Sequence, residues 1–137
     1  MELISKNQIT RLHILLDETG QKPYKQDLMD EVCTDGRFPT SSKQLYVVEF
    51  LAIEKKLVDL KERMNNQRRR VISALRECGY NKAGAADMPK IEAWVEKYST
   101  FKKHLNKHTY EELVKLVAQA DQYRNSYLRG MAKCKKD

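Results

Sequence analysis

The chain has 137 residues, 41% apolar and 33% charged, with a net charge of +7, a composition typical of a globular protein and not of a disordered tail. Its three scattered cysteines exclude a disulfide framework and a CxxC-type zinc site, and no apolar stretch approaches the roughly 20 residues that span a bilayer. The first residues carry no basic stretch followed by an apolar run, so we expect a cytoplasmic protein without a signal peptide, cofactor, metal or membrane partner.

The first two helices are marked by local capping signals. Ser5 and Gln8 form a capping box, and Gly20 provides a left-handed stop, so the first helix is predicted over Lys6–Thr19. Pro23 can open a second, shorter helix within the following ten residues, because a first-turn proline loses no needed donor.

The most apolar segment of the chain is predicted to be the central helix. Ser41 and Gln44 form a second capping box in front of residues 45–53, which are apolar nearly all round. Periodicity alone does not separate helix from strand here, but the cap and the helical continuation favour a helix over residues 43–62. Asn65-Asn66 is predicted to break it.

Three further helices, and a short helical piece through Phe101 and Leu105 before the last of them, are predicted in the second half. The first of them ends at Gly79, and the six small or polar residues before Asp87 are predicted to form a loop. Asp87 caps the next helix, on whose apolar stripe Trp94 is a core residue. Thr109 with Glu112 is a third capping box that starts the last helix, and the chain is expected to fray after Gly130.

These elements predict an all-α, compact helical domain of five to seven helices, either a single bundle or two similar three-helix units sharing the central helix.

The distribution of charge also divides the chain into two halves. Residues 1–65 carry 10 Lys/Arg and 11 Asp/Glu (net −1), whereas residues 66–137 carry 16 and 8 (net +8). A near-neutral N-terminal unit, which includes the central helix, therefore precedes a basic unit with a frayed lysine-rich end, and this asymmetry indicates either a polyanionic partner or a solubilising surface.

The first candidate binding site is the run Arg68, Arg69 and Arg70. Because the predicted break precedes it, the run falls in the first turn of a helix, where the macrodipole disfavours cations. Cations at that position would suit a phosphate, on which guanidinium groups and N-terminal amides converge. The alternative is an exposed run that pairs with Glu62 or Glu77.

A second basic cluster lies before the last helix, and the Lys133–Lys136 tail adds further positive charge. The cluster consists of Lys102, Lys103, His104, Lys107 and His108, with Phe101 and Tyr110 at its flanks. The aromatic rings either stack on nucleic-acid bases or face the core of the protein. His104 and His108 have a zinc-compatible spacing, but no nearby ligand completes the set, and we predict no metal site.

No P-loop, GxGxxG, GxSxG or HExxH motif is present, so we predict that the protein is not an enzyme. Two functions remain open. The first is a regulator that binds nucleic acid non-catalytically, through phosphate contacts of Arg68, Arg69, Arg70, Lys102, Lys103 and Lys107. The second is a protein-interaction module, an adaptor or an inhibitor, whose basic face meets an acidic partner surface.

Three segments together resemble the GemA-type regulatory proteins of Mu-like phages and prophages. They are the run from Ile9 to Gly20, the cap Ser41-Ser42-Lys43-Gln44-Leu45, and Arg69 to Tyr80, and the stretch from Leu105 through Thr109 to Val117 repeats the pattern. Tyr46 stands where that family tends to have threonine. The resemblance implies a small phage- or prophage-type modulator of gene expression or DNA topology, and it carries over no individual site residue.

Overall fold

A computed structural model describes residues 2–33 and 36–135, with side chains as far as Ala132. The α-helices within these ranges are α1 (Lys6–Thr19), α2 (Lys25–Val32), α3 (Val47–Glu77), α4 (Met88–Tyr98) and α5 (Tyr110–Lys135). Single 3₁₀ turns lie at Lys22–Tyr24, Ser42–Gln44 and Leu105–Lys107, and two-residue strands β1 (Asn81–Lys82) and β2 (Ala85–Ala86) form an antiparallel hairpin. The predicted all-α class is confirmed. None of the helices in the described ranges is long and apolar enough to cross a membrane.

The chain divides into two compact units, which we call unit 1 (residues 1–63) and unit 2 (residues 64–137). Unit 1 contains α1, α2 and the N-terminal half of α3. Unit 2 contains the rest of α3, the hairpin, α4 and α5. The division lies two residues before the one drawn from charge, and because Met64 and Asn65 are uncharged, the net charges of −1 and +8 also hold for the two units.

The first helix follows its local signals. The Ser5 hydroxyl accepts from the Gln8 N–H at 3.2 Å, the Gln8 side chain accepts from the Ser5 N–H at 2.8 Å, and Gly20 ends α1 with φ +69°. The predicted bounds of α1 are therefore confirmed. Its buried side chains pack with those of α2 and α3 in a core formed by Ile4, Leu12, Leu15, Leu16, Met29, Cys33, Leu45, Phe50, Ile53 and Leu57.

The long helix α3 begins later than predicted. Ser41 caps a 3₁₀ turn and not the helix itself, because the Leu45 carbonyl accepts a hydrogen bond from the Ile4 N–H at 3.0 Å and this pairing keeps the intervening backbone extended. The helix starts at Val47. The Glu49 carboxylate accepts a hydrogen bond from the main-chain N–H of Tyr46, the residue before the helix, at 2.8 Å. A long-range pairing thus overrides the local capping signal.

The predicted break at Asn65-Asn66 is wrong, and so is the predicted range 43–62 for the central helix. α3 continues through both asparagines to Glu77. The buried residues Leu57, Met64 and Val71 repeat every seven residues across the site of the predicted break, so an apolar stripe continues through it. Asparagine is only mildly unfavourable inside a helix, unlike proline or glycine, and buried packing on both sides outweighs that cost.

In unit 2 the predicted small-residue loop is a hairpin. Ala83 and Gly84 both adopt positive φ, +53° and +80°, which gives the tight two-residue turn that matches the twist of paired strands. The predicted caps at Asp87 and Thr109 are confirmed, since each side chain accepts a first-turn N–H at 3.3 Å. The last helix, α5, extends through Gly130 to Lys135.

Candidate nucleic-acid interface

The arginine run lies in the interior of α3 and not in the first turn of a helix. The predicted first-turn position is therefore wrong, and N-terminal amides do not assist the arginines, because main-chain amides in a helix interior already donate within the helix. Consecutive residues of an α-helix also point about 100° apart, since a turn takes about 3.6 residues. Arg68, Arg69 and Arg70 consequently project in three different directions and do not converge on one anion.

Arg68 turns towards the protein. Its Nη1 donates to the Asn65 side-chain oxygen at 2.8 Å, and its Nε is buried with no acceptor among the described residues. Burial lowers the pKa of Arg68. Arg68 is thus less exposed than Arg69 and Arg70 and offers less of its guanidinium to an external phosphate.

Arg69 lies on the wall of an open groove of about 450 Å³ in unit 2. The groove is lined by Arg69, Ile72, Ser73, Arg76, Glu77 and Asn81. Arg69 and Arg76 are seven residues, or two helical turns, apart, which places them on one face of α3 at a separation of about 10.5 Å along its axis. Arg70, the third member of the predicted run, is exposed but does not line the groove.

Arg76 is held in place by the hairpin. Its Nε donates to the Asn81 side-chain oxygen at 2.7 Å, and its Nη2 donates to the Gly84 carbonyl at 3.2 Å. The Asn81 amide in turn donates to the Arg76 carbonyl at 2.8 Å. Since a guanidinium has five N–H donors, three remain for a ligand after these two bonds. The plane of Arg76 is thus fixed before any anion arrives, which lowers the entropy cost of binding.

The net charge of the groove lining is positive, because two arginines and one glutamate line it. The Glu77 carboxylate lies 3.3 Å from Arg124 Nε, so its charge is largely compensated. Two exposed lysines follow in the chain, Lys82 on the hairpin and Lys90 in the first turn of α4. Lys90 Nζ lies 4.5 Å from the ring centroid of Tyr80, the residue that precedes the hairpin.

The second predicted basic cluster is partly neutralised. Lys103 Nζ donates to both oxygens of Glu112, at 3.1 and 2.9 Å. Burial opposes ionisation of Glu112, but hydrogen bonds from Thr109 and Lys103 hold its pKa below the ordinary value. Lys102, which has a positive φ of +50°, and Lys107 remain exposed. Of the three predicted lysines, two are free to meet an anion and one already has a carboxylate partner.

The aromatic and histidine side chains around this cluster are occupied within the protein. Lys103 and Lys115 place their Nζ atoms 5.9 and 5.8 Å from the Phe101 ring centroid, and the ring packs at 78° to that of His108. His108 is buried and its Nδ1 lies 3.0 Å from the His104 carbonyl oxygen. No group of three or more potential metal ligands occurs in the described ranges.

The two units differ in how their positive charges are compensated. In unit 1, carboxylates lie within 4 Å of Arg11, Lys22, Arg37, Lys56 and Lys61. Among the described arginine and lysine side chains of unit 2, those with a carboxylate within 4 Å are Lys103 and Arg124. Most of the described positive charges of unit 2 are therefore not compensated by ion pairs within the protein.

Unit 1 carries a different feature, a set of exposed apolar side chains that the sequence did not single out. Its members, with their exposed fractions, are Leu3 (55%), Phe38 (81%), Val48 (68%) and Leu51 (50%). Next to Phe38, the Arg37 guanidinium stacks 3.8 Å from the centroid of the Tyr46 ring and donates to Glu49 at 2.6 Å. We call these four apolar residues the unit 1 surface.

No family model, curated protein or solved structure matches the chain. Within unit 2, the sequence prediction and the groove overlap at Arg69. Arg76 and Asn81 were missed, and the two-turn spacing between Arg69 and Arg76 is the sequence signal that could have found the second arginine.

Proposed function

We propose that the protein is a non-catalytic regulator that associates with nucleic acid through the groove of unit 2. The observation that carries this proposal is the pair Arg69 and Arg76, two turns apart on one helix face, with the second guanidinium fixed by the hairpin. Phosphate oxygens are the ligands that such a pair fits best, because a planar guanidinium donates two parallel hydrogen bonds to them.

The surrounding charge supports the same ligand. Unit 2 has a net charge of +8, and most of its described basic side chains lack a carboxylate partner. Contacts of this kind give affinity and orientation on a nucleic-acid backbone without reading sequence. Lys82 and Lys90 near the groove, and Lys102 and Lys107 elsewhere in unit 2, extend the surface that a polyanion would meet.

A small phage- or prophage-type regulator of the cytoplasm, which the resemblance to GemA-type proteins implies, is the biological role that we attach to this proposal. A regulator that works by occupying nucleic acid needs a binding surface and no reaction centre. The groove of unit 2 meets that requirement with side chains already oriented by the fold.

The test is a fluorescence-anisotropy titration of a labelled DNA duplex across a salt series. Each phosphate contact contributes about 0.9 to the slope of log affinity against log salt, so Arg69→Gln with Arg76→Gln should make the slope shallower by about 1.8. The matched control is Lys43→Gln with Lys55→Gln, which removes two exposed charges from unit 1 and should leave the slope unchanged. Absence of binding at low salt, or equal slopes for both double variants, would overturn the proposal.

The unit 1 surface favours a second candidate function, a protein-interaction module. An aromatic side chain that is 81% exposed beside a stacked arginine has the composition of interface hot spots. Phe38→Ser with Val48→Ser should then abolish capture of a protein partner in quantitative pull-downs and leave the salt slope for duplex binding unchanged. If the same partner is captured equally by the variant, this second function is wrong.

A further inference from the structure

We infer that the ligand of the unit 2 groove is double-stranded nucleic acid and not a single strand. This inference rests on the proposed function and makes its ligand more specific. DNA and RNA duplexes both present the ligand that we propose, a rigid double-stranded sugar–phosphate backbone. The reasons lie in the aromatic side chains, in the fixed guanidinium groups and in the hydrogen bonds already made by Asn81.

The groove lacks the aromatic platform that single-strand binders use. Such proteins stack successive bases on exposed rings between their cationic residues. None of the six residues that line the groove is aromatic. The nearest ring along the chain, that of Tyr80, is half-buried, its hydroxyl lies 3.1 Å from that of Tyr123, and Lys90 covers a face of it.

The other aromatic residues of unit 2 do not line the groove. Trp94 is 4% exposed, and the face of Phe101 meets the ammonium groups of two lysines. Tyr98 is the most exposed described ring of this unit, at 56%, and it is not part of the groove lining. Lys97 Nζ lies 5.2 Å from the Tyr98 centroid, so this ring too has a partner in its own helix. Tyr98 is therefore the residue on which a stacking mechanism can be tested.

The arginines of the groove match a rigid lattice of phosphates better than a flexible chain. Arg76 is fixed by Asn81 and Gly84, and Arg69 donates to the Asn66 side chain at 3.1 Å. Both project from the same uninterrupted helix, so the distance between them is set before binding. A duplex offers phosphates at fixed spacing, whereas a single strand must first be ordered at a cost in conformational entropy.

Asn81, the one amide side chain of the groove lining, is already engaged within the protein. Asparagine reads adenine through both atoms of its amide. The Asn81 oxygen accepts from Arg76 Nε, and its nitrogen donates to the Arg76 carbonyl, so both atoms are already engaged. Asn81 thus orients Arg76 and is not available to read an exposed adenine of a single strand.

The experiment is a competition assay against a labelled mixed-sequence DNA duplex. Unlabelled DNA duplex, RNA duplex and single-stranded DNA of the same sequence compete at equal nucleotide concentration. We expect at least one duplex to compete about tenfold better than the single strand, because the groove lining offers no ring on which single-stranded bases could stack. The better of the two duplex competitors identifies the form of backbone that the groove accepts.

Two variants make the outcome specific. Tyr98→Ala should leave the order and strength of the competitors unchanged, while Arg69→Gln with Arg76→Gln should weaken duplex binding, and Trp94 fluorescence checks that each variant is folded. A single strand that competes as well as either duplex, or a tenfold loss of affinity in Tyr98→Ala, would overturn the inference while the proposed function survives. Binding to none of the three nucleic acids would instead refute the proposed function itself.

Discussion

Replacing Arg68 by methionine should stabilise unit 2, although it removes a member of the arginine run. A buried donor without an acceptor costs about 1–3 kcal/mol, and Arg68 Nε is such a donor among the described residues. Arg68→Met removes that cost and keeps an unbranched apolar side chain in the same space. It also removes the hydrogen bond to Asn65, worth about 1 kcal/mol at a half-buried site that water can reach. The net expectation is a gain of about 1 kcal/mol.

The assay is urea unfolding followed by the fluorescence of Trp94, the single tryptophan of the chain, which is buried in the same unit as Arg68. With a denaturant dependence of about 1–3 kcal/mol/M, a gain of about 1 kcal/mol raises the midpoint by roughly 0.3–1 M. Arg70→Met is the matched control, because it removes the same charge from an exposed position of the same helix and should change stability by less than about 0.5 kcal/mol.

Two outcomes would refute this reasoning. If Arg68→Met is less stable than Arg70→Met by about 1 kcal/mol or more, then Nε has an acceptor in solution and the guanidinium is a net stabilising group. If Arg68→Met makes the salt slope of duplex binding as shallow as a groove variant does, then Arg68 contacts phosphate and its burial is relieved on binding.

Three further predictions concern single residues. Asn81→Ala should weaken duplex binding while Arg76 is still present, because the guanidinium loses its positioning partner; an anisotropy titration in which the variant binds like the wild type would refute this. Burial and the hydrogen bond to Glu49 raise the pKa of Cys33 to about 11, so its alkylation at pH 8, followed by peptide mass spectrometry, should be about 100-fold slower in the folded protein than in urea. Partial burial opposes ionisation of Glu49, but hydrogen bonds from the Tyr46 N–H and from Arg37 hold its pKa below the ordinary 4.5. Its contribution to stability is therefore present above that pH and is lost as the pH falls through the lower folded value. The stability difference between wild type and Glu49→Gln should accordingly shrink on acidification, and a difference that is constant from pH 7 to pH 3 would contradict it.

Elements set by neighbouring residues could be predicted from the sequence, and elements set by distant residues could not. The capping boxes at Ser5 and Thr109 are each complete within four residues, so they place α1 and the start of α5 correctly. The cap at Ser41 is locally as good, but the pairing of Leu45 with Ile4, 41 residues away in sequence, delays the start of α3. The predicted break at Asn65-Asn66 is wrong for the same reason, because the buried packing of Met64 and Val71 keeps the helix continuous.

The candidate site shows the same limit in chemical terms. A run of three arginines stands out in a sequence, yet in a continuous helix its members point to different sides, and the inward member is the least suited to bind an anion. Arg76 stands alone in the sequence, and its suitability comes from the hairpin that fixes it. Charge density along the chain therefore pointed to unit 2, in which the groove lies, but to neighbours of Arg69 that do not line that groove.

The same comparison explains why binding strength should depend on Asn81 more than on Arg70. Arg70 is an exposed cation on a flexible side chain, so a phosphate contact would have to repay the rotamer entropy lost on binding, up to about 2 kcal/mol. Arg76 has already lost that freedom in the folded protein, where two hydrogen bonds hold its guanidinium. An uncharged residue that orders a cation can thus contribute more to affinity than a further cation, and a larger loss of duplex affinity for Arg70→Gln than for Asn81→Ala would show that net charge, and not the geometry of the groove, controls binding.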